Sequence, residues 1–512
     1  MKKVITYGTF DLLTPGHIEQ LRESKKLGDY LIVGLSTDEF NAIKNKKAYL
    51  SYEERKEIIE AIKYVDEVIP ENDWNQKVDD IKKYNISILT MGEDWKGSNR
   101  FEYLKEYCDV VFIPRSGRYS STDFRSFVNK HKNDDKFISK LKNKIKSILL
   151  YLFKWHLNFI YFFIKLFTTQ KKQVFLLSRQ TDYISVSFEM IINQLNKDKI
   201  ATKVMCRKIN NGLKNKLVYY FSLYKQMYYL ATSKVVIIDG YNPTVSILNH
   251  KNLTVIQLWH ALGAIKKFGY QTLNLDSGRD RQMAKIMNMH KNYDYVISGS
   301  KAMVDYFSQA FNIDEKKVLT FGTPCIDYML TKVANREDKF KQCGFDIKKP
   351  LIVYAPTFRD NRPNDILPLI NAIDLNKYNL CISIHPRAIE KIEKKEGVFW
   401  NPNIEFLDLI KICDYFVTDY SAAMIEAAIA NKKLLLYVYD YHLYDKENGL
   451  NINLFEELPN YTSKEIDDIV KVIDSGKYDM KILENFKKKY VTNLKGNATK
   501  QICKLVEEKV NE

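Results

Sequence analysis

Hydrophobic and polar positions along the first 128 residues follow two alternating patterns. Short apolar runs predict β-strands, and segments in which apolar residues recur every three or four positions predict the helices between them. The predicted strands are 3–7, 30–35, 67–69, 86–91 and 110–113, and the predicted helices are 17–27, 51–64, 75–84 and 100–106. This alternation indicates a parallel sheet with right-handed crossovers, which binds ligands beyond the carboxyl ends of its strands.

The same alternation resumes at about residue 173 and continues to the end of the chain. Its predicted strands are 174–177, 202–206, 235–239, 253–258 and 295–298, followed by 351–354, 380–384, 415–417 and 434–437. The predicted fold class is therefore α/β throughout. We expect a Rossmann-like domain over 1–128, a linker over 129–172, and two further Rossmann-like halves over 173–340 and 341–512.

The linker has the pattern of a basic amphipathic helix. Apolar residues recur at helical spacing from Ile138 to Leu166, and the polar stripe on the opposite side consists of Lys140, Lys144, Ser147, Tyr151, Lys154, Asn158 and Lys165. Residues 130–172 contain eleven Lys and two Asp, so they carry +9 of the net charge. Such a helix fits the surface of an anionic membrane. The charges at 154 and 165 argue against a transmembrane span. The alternative is a linker helix packed on a neighbouring domain.

Composition narrows the class of protein. The 512 residues are 45% hydrophobic and 13% aromatic, which excludes a disordered chain. The seven Cys have no C-x-x-C spacing and no apolar leader precedes them, so we expect reduced cytosolic thiols and no zinc site. The formal charge of +16 is compatible with nucleic acid, membrane or anionic substrates. No base-reading motif accompanies it, which disfavours nucleic acid as a partner.

The first strand leads into the turn with the most distinctive chemistry. Gly8 lets the backbone approach a ligand closely, Thr14 is a fair N-cap, and Pro15 occupies the first helical position. The start of this helix offers N–H groups and the His17 imidazole, which suit a triphosphate. The alternative is an ordinary strand-turn-helix with a surface histidine.

Six motifs in residues 1–128 resemble those of the glycerol-3-phosphate cytidylyltransferases. They are Tyr-Gly-Thr-Phe-Asp at 7–11, Gly-Asp-Tyr-Leu at 28–31, Ser-Thr-Asp-Glu-Phe-Asn at 36–41, Tyr-Val-Asp-Glu-Val-Ile-Pro at 64–70, Met-Gly-Glu-Asp-Trp at 91–95 and Pro-Arg at 114–115. The resemblance implies synthesis of CDP-glycerol from CTP and glycerol 3-phosphate. It also implies Mg²⁺, with Asp11 and Asp94 as candidate ligands.

The resemblance implies two groups of site residues. The catalytic group is His17, Thr14, Lys44, Lys46 and Arg115. The nucleotide-binding group is Gly8, Thr9, Phe10, Asp11, Lys63, Gly92, Asp94, Trp95, Ser120, Ser121, Thr122 and Arg125. Two positions depart from the family: Thr14 stands where relatives have His, and Lys63 stands where they have Arg. A non-catalytic nucleotide-binding or assembly module is therefore the alternative for this domain.

In the last two parts, His260 follows a predicted strand and precedes a Gly-containing turn, where a catalytic base is expected. A core histidine beside Trp259 is the alternative. Residues 173–505 resemble the CDP-glycerol glycerophosphotransferases of teichoic-acid and capsule synthesis, which have a GT-B arrangement. The matching motifs are Trp-His at 259–260 with trailing lysines, Gly-Thr-Pro at 322–324, Tyr-Ala-Pro-Thr-Phe-Arg-Asp at 354–360, His-Pro-Arg at 385–387 and Thr-Asp-Tyr-Ser at 418–421.

The second resemblance implies His260 as general base, with His385 as a second catalytic residue. It implies that the donor phosphates of CDP-glycerol meet Thr323, Thr357, Arg359, Arg387, Asp419, Ser421 and Ala422. No cofactor is expected for this half. Relatives have Gly-Thr-Pro after the Trp-His pair, and this chain has Ala-Leu-Gly-Ala at 261–264, a difference that concerns acceptor specificity.

The order of the parts predicts a bifunctional enzyme. The first domain makes CDP-glycerol, and the last two parts transfer glycerol phosphate to a lipid-linked or polymer acceptor, building a capsule or a polymer like teichoic acid. The basic helix holds the enzyme at the cytoplasmic face of a bacterial membrane, and a homo-oligomer is compatible with this reading. A basic RNA-binding protein is the alternative from another class.

Overall fold

A computed structural model of the chain describes residues 1–44, 46, 48–114, 121–209, 212–273, 275, 278–333, 335–357, 359, 366–384 and 394–512. It divides into two compact units, Met1–Lys144 and Ile145–Glu512. All seven cysteines are free thiols, as predicted.

The first unit contains a five-stranded parallel sheet with the order β3-β2-β1-β4-β5. Its strands are β1 Lys3–Gly8, β2 Tyr30–Ser36, β3 Glu67–Glu71, β4 Ile86–Gly92 and β5 Asp109–Ile113. All five strands confirm the prediction. Because the strand order reverses between β1 and β4, the crevice beyond their carboxyl ends is the expected ligand site. Gly8 and Gly92 end these two strands.

The helices of this unit confirm the predicted pattern and add one short helix. They are Pro15–Lys25, Asp38–Ile43, Tyr52–Glu60, Gln76–Tyr84 and Asn99–Glu102, with 3₁₀ turns at Glu93–Trp95 and Tyr103–Glu106. The helix Asp38–Ile43 was not predicted. Its six residues are too few for a helical period, and the Thr37 hydroxyl caps it by accepting a hydrogen bond from the Phe40 N–H.

The second unit contains two six-stranded parallel sheets. The first has the order β11-β10-β9-β8-β6-β7, from β6 Lys171–Ser178, β7 Ala201–Cys206, β8 Ser233–Ile238, β9 Thr254–Gln257, β10 Tyr295–Ile297 and β11 Val318–Leu319. The second has the order β14-β13-β12-β15-β16-β17, from β12 Leu351–Ala355, β13 Asn379–Ile382, β14 Val398–Trp400, β15 Tyr415–Thr418, β16 Lys433–Tyr437 and β17 Thr462–Ser463. The nine predicted strands are confirmed. The three that were missed, β11, β14 and β17, have two or three residues each and lie at sheet edges.

The helices of the second unit pack against these sheets. They are Val186–Lys197, Leu213–Thr232, Pro243–Ile247, Arg281–Ile286, Val304–Phe311, Pro324–Leu330, Arg336–Cys343, Leu367–Ala372, Phe406–Ile412, Ala423–Ile429, Tyr441–Asn448, Leu454–Glu457, Ile466–Ser475, Met480–Tyr490 and Ala498–Asn511. Short 3₁₀ turns are formed by Gly269–Thr272, Lys301–Met303 and Glu315–Lys317.

The linker is a single helix, Ser121–Leu166, that begins in the first unit and ends in the second. Its C-terminal part packs against the second unit through residues of the predicted polar stripe. Lys154 donates to the Ile286 carbonyl oxygen at 3.2 Å, and Lys165 donates to the Asn249 carbonyl oxygen at 2.8 Å. In this part of the helix the stripe contacts protein, as in the alternative of a linker helix packed on a neighbouring domain.

Aromatic residues of this helix lie on the surface instead. Trp155 is 64% exposed and stacks on Phe159 at 5.3 Å, and Phe163 lies 5.0 Å beyond. We call Trp155, Phe159, Phe162 and Phe163 the aromatic face. The segment Lys144–Leu166, with a mean hydropathy of 1.4, is long and apolar enough to cross a membrane by length and composition alone. A single helix of this kind is weak support for a span.

Candidate functional site

The turn after β1 fixes the tautomer of His17. The Thr14 N–H donates to His17 Nδ1 at 3.1 Å, so Nδ1 is an acceptor and the proton of the neutral ring lies on Nε2. The Thr14 hydroxyl lies 3.3 Å from the same nitrogen. The structure thus brings Thr14 and His17 together, with the Thr14 backbone N–H setting the ring orientation.

Gly8, Phe10 and Asp11 shape this turn from within. A Cβ on Gly8 would lie 2.7 Å from the Phe10 ring, and Phe10 itself has a φ of 46°, in the left-handed region. The Asp11 carboxylate accepts the N–H groups of Tyr49 and Leu50 at 3.0 and 3.2 Å. Gly8 therefore accommodates the Phe10 ring, and Asp11 holds the loop at 49–50.

Arg55 is a buried residue of this site that the sequence reading missed. Its side chain is fully buried and donates to the carbonyl oxygens of Thr9, Ser36 and Leu50. It also donates to the Asp38 carboxylate at 2.6 Å. One guanidinium thus joins the loops after β1 and β2 to the helix Tyr52–Glu60. An Arg within a charged helix sequence gives no signal of such a role.

The predicted phosphate-binding lysines have different surroundings. The Lys44 ammonium group donates to the Ser36 hydroxyl at 2.6 Å and lies 3.5 Å from the Glu71 carboxylate, so it has partners within the protein. Burial lowers the pKa of Lys44. Lys46 and Lys63 are exposed. The Lys63 ammonium lies 5.2 Å from the Tyr64 ring centroid.

The loop after β4 supplies the opposite wall of the crevice. A Cβ on Gly92 would meet no atom within 4 Å, so this glycine borders open space. Trp95 lies 6.3 Å from Trp74 and 5.2 Å from Phe101, which fixes its ring next to Asp94. Arg115 and Ser120 lie outside the described residues. A helix begins at Ser121, and the side chains of Ser121, Thr122 and Arg125 are likewise not described.

The second unit has a cavity of about 570 Å³ between its two sheets. Its walls follow the carboxyl ends of strands from both sheets. The lining segments are 180–187, Asp239, 258–268, Thr323, 405–407 and 420–426. Residue 323 and residues 420–426 include predicted contacts of the donor phosphates, and His260 lies in the same cavity.

Local geometry fixes His260 at the wall of this cavity. Trp259 has a φ of 57°, its N–H donates to the buried Gln257 side chain at 2.8 Å, and its ring stacks on Phe268 at 4.6 Å. His260 Nδ1 lies 3.3 Å from the Asp239 carbonyl oxygen. A carbonyl only accepts, so Nδ1 carries the proton and Nε2 is left as the base. Burial lowers the pKa of His260, which favours the neutral ring.

Thr323, Ser421 and Ala422 line the cavity, and their contact with the donor phosphates stays a prediction. Thr323 occupies the N-cap position of the helix Pro324–Leu330 without a side-chain capping bond, and its buried hydroxyl has no hydrogen-bond partner among the described residues. The Thr357 N–H donates to the Asp419 carboxylate at 2.8 Å. His385 and Arg387 lie outside the described residues.

Arg359 and Asp419, predicted to contact the donor phosphates, pair with each other, and Arg359 also pairs with Asp440. The Arg359 guanidinium makes two hydrogen bonds to the Asp440 carboxylate, at 2.8 and 2.9 Å, and lies 3.1 Å from Asp419. Asp419 also accepts the Tyr420 N–H at 2.6 Å. These buried charges hold the turn that carries Ser421 through the Arg359 ion pairs, although Asp419 Oδ2 has no hydrogen-bond partner among the described residues.

Two further cavity residues were missed, and a third, Lys266, is a trailing lysine of the Trp-His motif for which no role was predicted. Asp239 follows β8, and burial raises its pKa to about 6. Glu426 is buried with one oxygen unpaired among the described residues, and burial raises its pKa to about 8. Lys266 lies between the halves near Asp419 and Arg359, and burial lowers its pKa. For Asp239, its position directly after an apolar strand was the sequence signal that could have indicated a site residue.

No group of three or more His, Cys, Asp or Glu side chains that could hold a metal ion occurs in the part of the chain that the structure describes.

The fold and the two sites define a nucleotide-dependent transferase that joins a nucleotidyltransferase-type domain to a two-sheet transferase unit. The chain belongs to the family described as CDP-Glycerol:Poly(glycerophosphate) glycerophosphotransferase, which matches residues 159–508. Residues 5–177 match the family described as Cytidylyltransferase-like. The chain is therefore a fusion enzyme with a domain for CDP-glycerol synthesis and a domain for glycerophosphate transfer, as the sequence motifs predicted.

Similar proteins cover both parts. The teichoic acid ribitol-phosphate primase of Bacillus spizizenii is 31% identical over 67% of this chain and 92% of that protein. The glycerol-3-phosphate cytidylyltransferase of Bacillus subtilis is 58% identical over 24% of this chain and 95% of that protein. The solved structure of the wall teichoic acid polymerase TagF is 20% identical, with a TM-score of 0.54 over 72% of this chain and 98% of that chain, a likeness that shows the fold alone.

Proposed function

We propose that the enzyme makes CDP-glycerol and then transfers glycerol phosphate from it to a membrane-associated acceptor. In the first reaction a phosphate oxygen of glycerol 3-phosphate attacks the α-phosphorus of CTP, and the bond to the β-phosphate breaks to release pyrophosphate. In the second, an acceptor hydroxyl attacks the phosphorus that carries glycerol, and CMP leaves. The product is a glycerol-phosphate-containing polymer such as a teichoic acid or a capsule.

The first reaction is assigned to the crevice between β1 and β4. The Nε2–H of His17, fixed by the Thr14 N–H, is a donor for a phosphoryl oxygen, and the start of the helix Pro15–Lys25 adds N–H groups. Mg²⁺ would arrive with CTP and be held mainly by its phosphate oxygens, with Asp94 as the candidate carboxylate. Asp11 is the less suitable ligand, because one of its oxygens accepts two backbone N–H groups.

The observation that carries the second reaction is the position of His260. Its Nδ1 is held by the Asp239 carbonyl oxygen, and its ring lines the same cavity as Thr323, Ser421 and Ala422. In this reading the Nε2 atom takes the proton of the acceptor hydroxyl while the donor phosphates lie against the far wall. The two sheets thus form the halves of a GT-B arrangement, with the donor side in 341–512.

The choice of glycerol over ribitol as the transferred unit rests on the fused domain. Relatives of the transferase part are named for ribitol phosphate and for glycerol phosphate. The N-terminal domain is 58% identical to a protein named for glycerol 3-phosphate alone. Fusion places the source of CDP-glycerol on the same chain.

The aromatic face supports a peripheral location at the cytoplasmic side of the membrane. Four aromatic side chains lie exposed in one row, and Phe221 of the neighbouring helix Leu213–Thr232 is 65% exposed. Aromatic residues bordered by lysines are typical of the interface between lipid and water.

The test is mass spectrometry of the products formed from CTP, glycerol 3-phosphate and a bacterial membrane extract. Pyrophosphate, CMP and a lipid fraction heavier by whole glycerol phosphate units are expected. Pyrophosphate without CMP would refute the transfer, and CMP only from added CDP-glycerol would show that the N-terminal domain is a non-catalytic module. Mass steps of ribitol phosphate would overturn the choice of glycerol.

A further inference from the structure

A buried charge cluster lies at the carboxyl ends of β2 and β3 in the first unit. Ser36 ends β2, Glu71 ends β3, and the two residues are paired in the register of the sheet. Both are buried. The Glu71 carboxylate accepts the Ser36 hydroxyl at 2.6 Å through one oxygen and the Lys77 ammonium group at 2.7 Å through the other. One carboxylate thus joins two strand ends to the helix Gln76–Tyr84.

Lys44 is the second cation of this cluster. Its ammonium group donates to the Ser36 hydroxyl at 2.6 Å and lies 3.5 Å from the Glu71 carboxylate. The side chains of Lys44 and Lys77 are 9% and 1% exposed. Two largely buried cations therefore share one carboxylate, and the cluster keeps one positive charge that it does not balance. Because a buried charge without a counter-ion is costly, a ligand that enters here is expected to be an anion.

Aromatic rings connect the cluster to the crevice beyond β1 and β4. The ammonium groups of Lys44 and Lys77 lie 5.6 and 5.0 Å from the centroid of the Trp74 ring. Trp74 lies 6.3 Å from Trp95, in the loop after β4, and the Lys77 ammonium group lies 4.6 Å from the centroid of the Tyr7 ring on β1. Lys44 is the more exposed of the two cations, so it is the one that can reach an anion in the crevice.

The charge of Lys44 depends on its neighbours. The charged groups around it are Glu71 of β3, Lys77 of the helix Gln76–Tyr84, Lys46, and the ion pair of Arg55 with Asp38 on the other side of Ser36. Burial lowers the pKa of Lys44, the Glu71 charge raises it, and the charges of Lys46 and Lys77 lower it. A deprotonated amine would lose its charge-assisted hydrogen bond to a phosphoryl oxygen. The Glu71 charge opposes this loss.

We propose that Glu71 is a positioning residue for cytidylyl transfer, which holds the Lys44 ammonium group at the crevice and keeps it cationic for the anionic substrate. The inference rests on the proposed first reaction and explains how one of its predicted phosphate-binding residues is held. Glu71 acts through Lys44 and not on the substrate, because its two oxygens already accept hydrogen bonds from Ser36 and Lys77.

The test is the pH dependence of pyrophosphate formation from CTP and glycerol 3-phosphate. Lys44 acts only when protonated, so kcat/KM of the wild type should fall as the pH rises through the pKa of Lys44. In Glu71→Gln this alkaline fall should begin about 1–3 pH units lower, the usual effect of removing an adjacent opposite charge. Glu71→Asp keeps a carboxylate and should return the fall toward the wild-type position. The matched control is Glu67→Gln, the same change at the other end of β3, which should leave the profile unchanged.

The variant Lys44→Arg separates an effect on charge from a general effect on structure. A guanidinium stays protonated at every pH of the assay, so the alkaline fall should be absent in Lys44→Arg. Adding Glu71→Gln to Lys44→Arg should not restore the fall. The proposal is overturned if Glu71→Gln leaves the alkaline fall at the wild-type pH, or if it shifts the profile equally in the Lys44→Arg background.

A second variant covers the case in which Glu71→Gln does not fold, since it leaves Lys77 buried without its carboxylate. Glu71→Gln with Lys77→Met removes both charges. Its alkaline fall should still begin below that of the wild type, because the Glu71 charge affects Lys44 more than the Lys77 charge does. A wild type that forms no pyrophosphate at any pH would instead refute the first reaction and, with it, this role of Glu71.

Discussion

Nδ1 of His260 lies 3.3 Å from the main-chain carbonyl oxygen of Asp239, and this contact decides which ring nitrogen is available as a base. Asp239 follows β8 and His260 follows β9, and these strands are neighbours in the sheet. The tautomer is therefore set by the sheet itself. A substitution of the Asp239 side chain leaves this carbonyl in place.

His260→Ala should reduce CMP release from CDP-glycerol by about 10²- to 10⁴-fold, because general base catalysis contributes about that factor. Pyrophosphate formation from CTP should stay at the wild-type rate, since the N-terminal domain is not changed. Both products are measured on the same preparation. Transfer at the wild-type rate would exclude His260 as the base.

The pH profile of transfer should show the lowered pKa of His260. A base is inactive when protonated, so kcat/KM should fall only as the pH drops below 6.5, the ordinary value. The Asp239 carboxyl, whose pKa burial raises to about 6, titrates in the same range. The variant Asp239→Asn separates the two groups. If kcat/KM still falls at low pH in this variant, the fall belongs to His260, and if the fall disappears, it belongs to Asp239.

Glu426 should act as a hydrogen-bond donor at neutral pH. Burial raises its pKa to about 8, so the carboxyl is mostly protonated at pH 7 and loses its proton as the pH rises through 8. Wild-type transfer should therefore decline above pH 8, whereas Glu426→Gln, which keeps a neutral donor, should not. Glu426→Ala serves as the comparison and should be slow at every pH. A decline of the same size in Glu426→Gln would assign the alkaline limb to another group.

The N-terminal site should depend more on His17 than on Thr14. His17→Ala removes a donor to the phosphates and should slow pyrophosphate formation by about 10²- to 10³-fold. Thr14→Ala removes a hydroxyl and keeps the backbone N–H that orients His17, so a loss of less than tenfold is expected. Pyrophosphate release at saturating CTP is the measurement. Equal losses in both variants would show that the Thr14 hydroxyl itself contacts the substrate.

Sequence patterns predicted the strands well because each long strand is a continuous apolar run, as in β12, where all five residues are buried. They also located Thr14, His17, His260 and Thr323, since each follows a strand and precedes a turn or helix. They did not show that Arg359 and Lys44 pair with buried carboxylates, because a cation next to a loop has the same sequence signature whether it meets a substrate or a buried carboxylate. They also missed Arg55 and Glu426, because the burial of a charged residue within a helix depends on tertiary packing.

Arg359 should be needed for stability as well as for the position of Ser421. Arg359→Ala leaves Asp440 and Asp419 without their cation in a buried site, which costs about 3–5 kcal/mol. The control is Arg336→Ala, which breaks the exposed pair with Asp414 and should cost about 0–1 kcal/mol. The thermal transition of the transferase unit should fall clearly in the first variant and stay near the wild-type midpoint in the second. Equal midpoints would show that the Arg359 network does not stabilise the fold.

The aromatic face provides the test of membrane association. Trp155→Glu with Phe159→Glu places two negative charges on a surface that now presents exposed rings. Binding to vesicles with anionic lipid should weaken at least tenfold, because apolar contact is lost and the new charges repel the lipid. The control is Leu367→Glu with Leu443→Glu, which adds the same charge at two exposed apolar positions elsewhere in the unit. If both pairs weaken binding equally, net charge alone holds the enzyme to the vesicle and the aromatic face is not the contact surface.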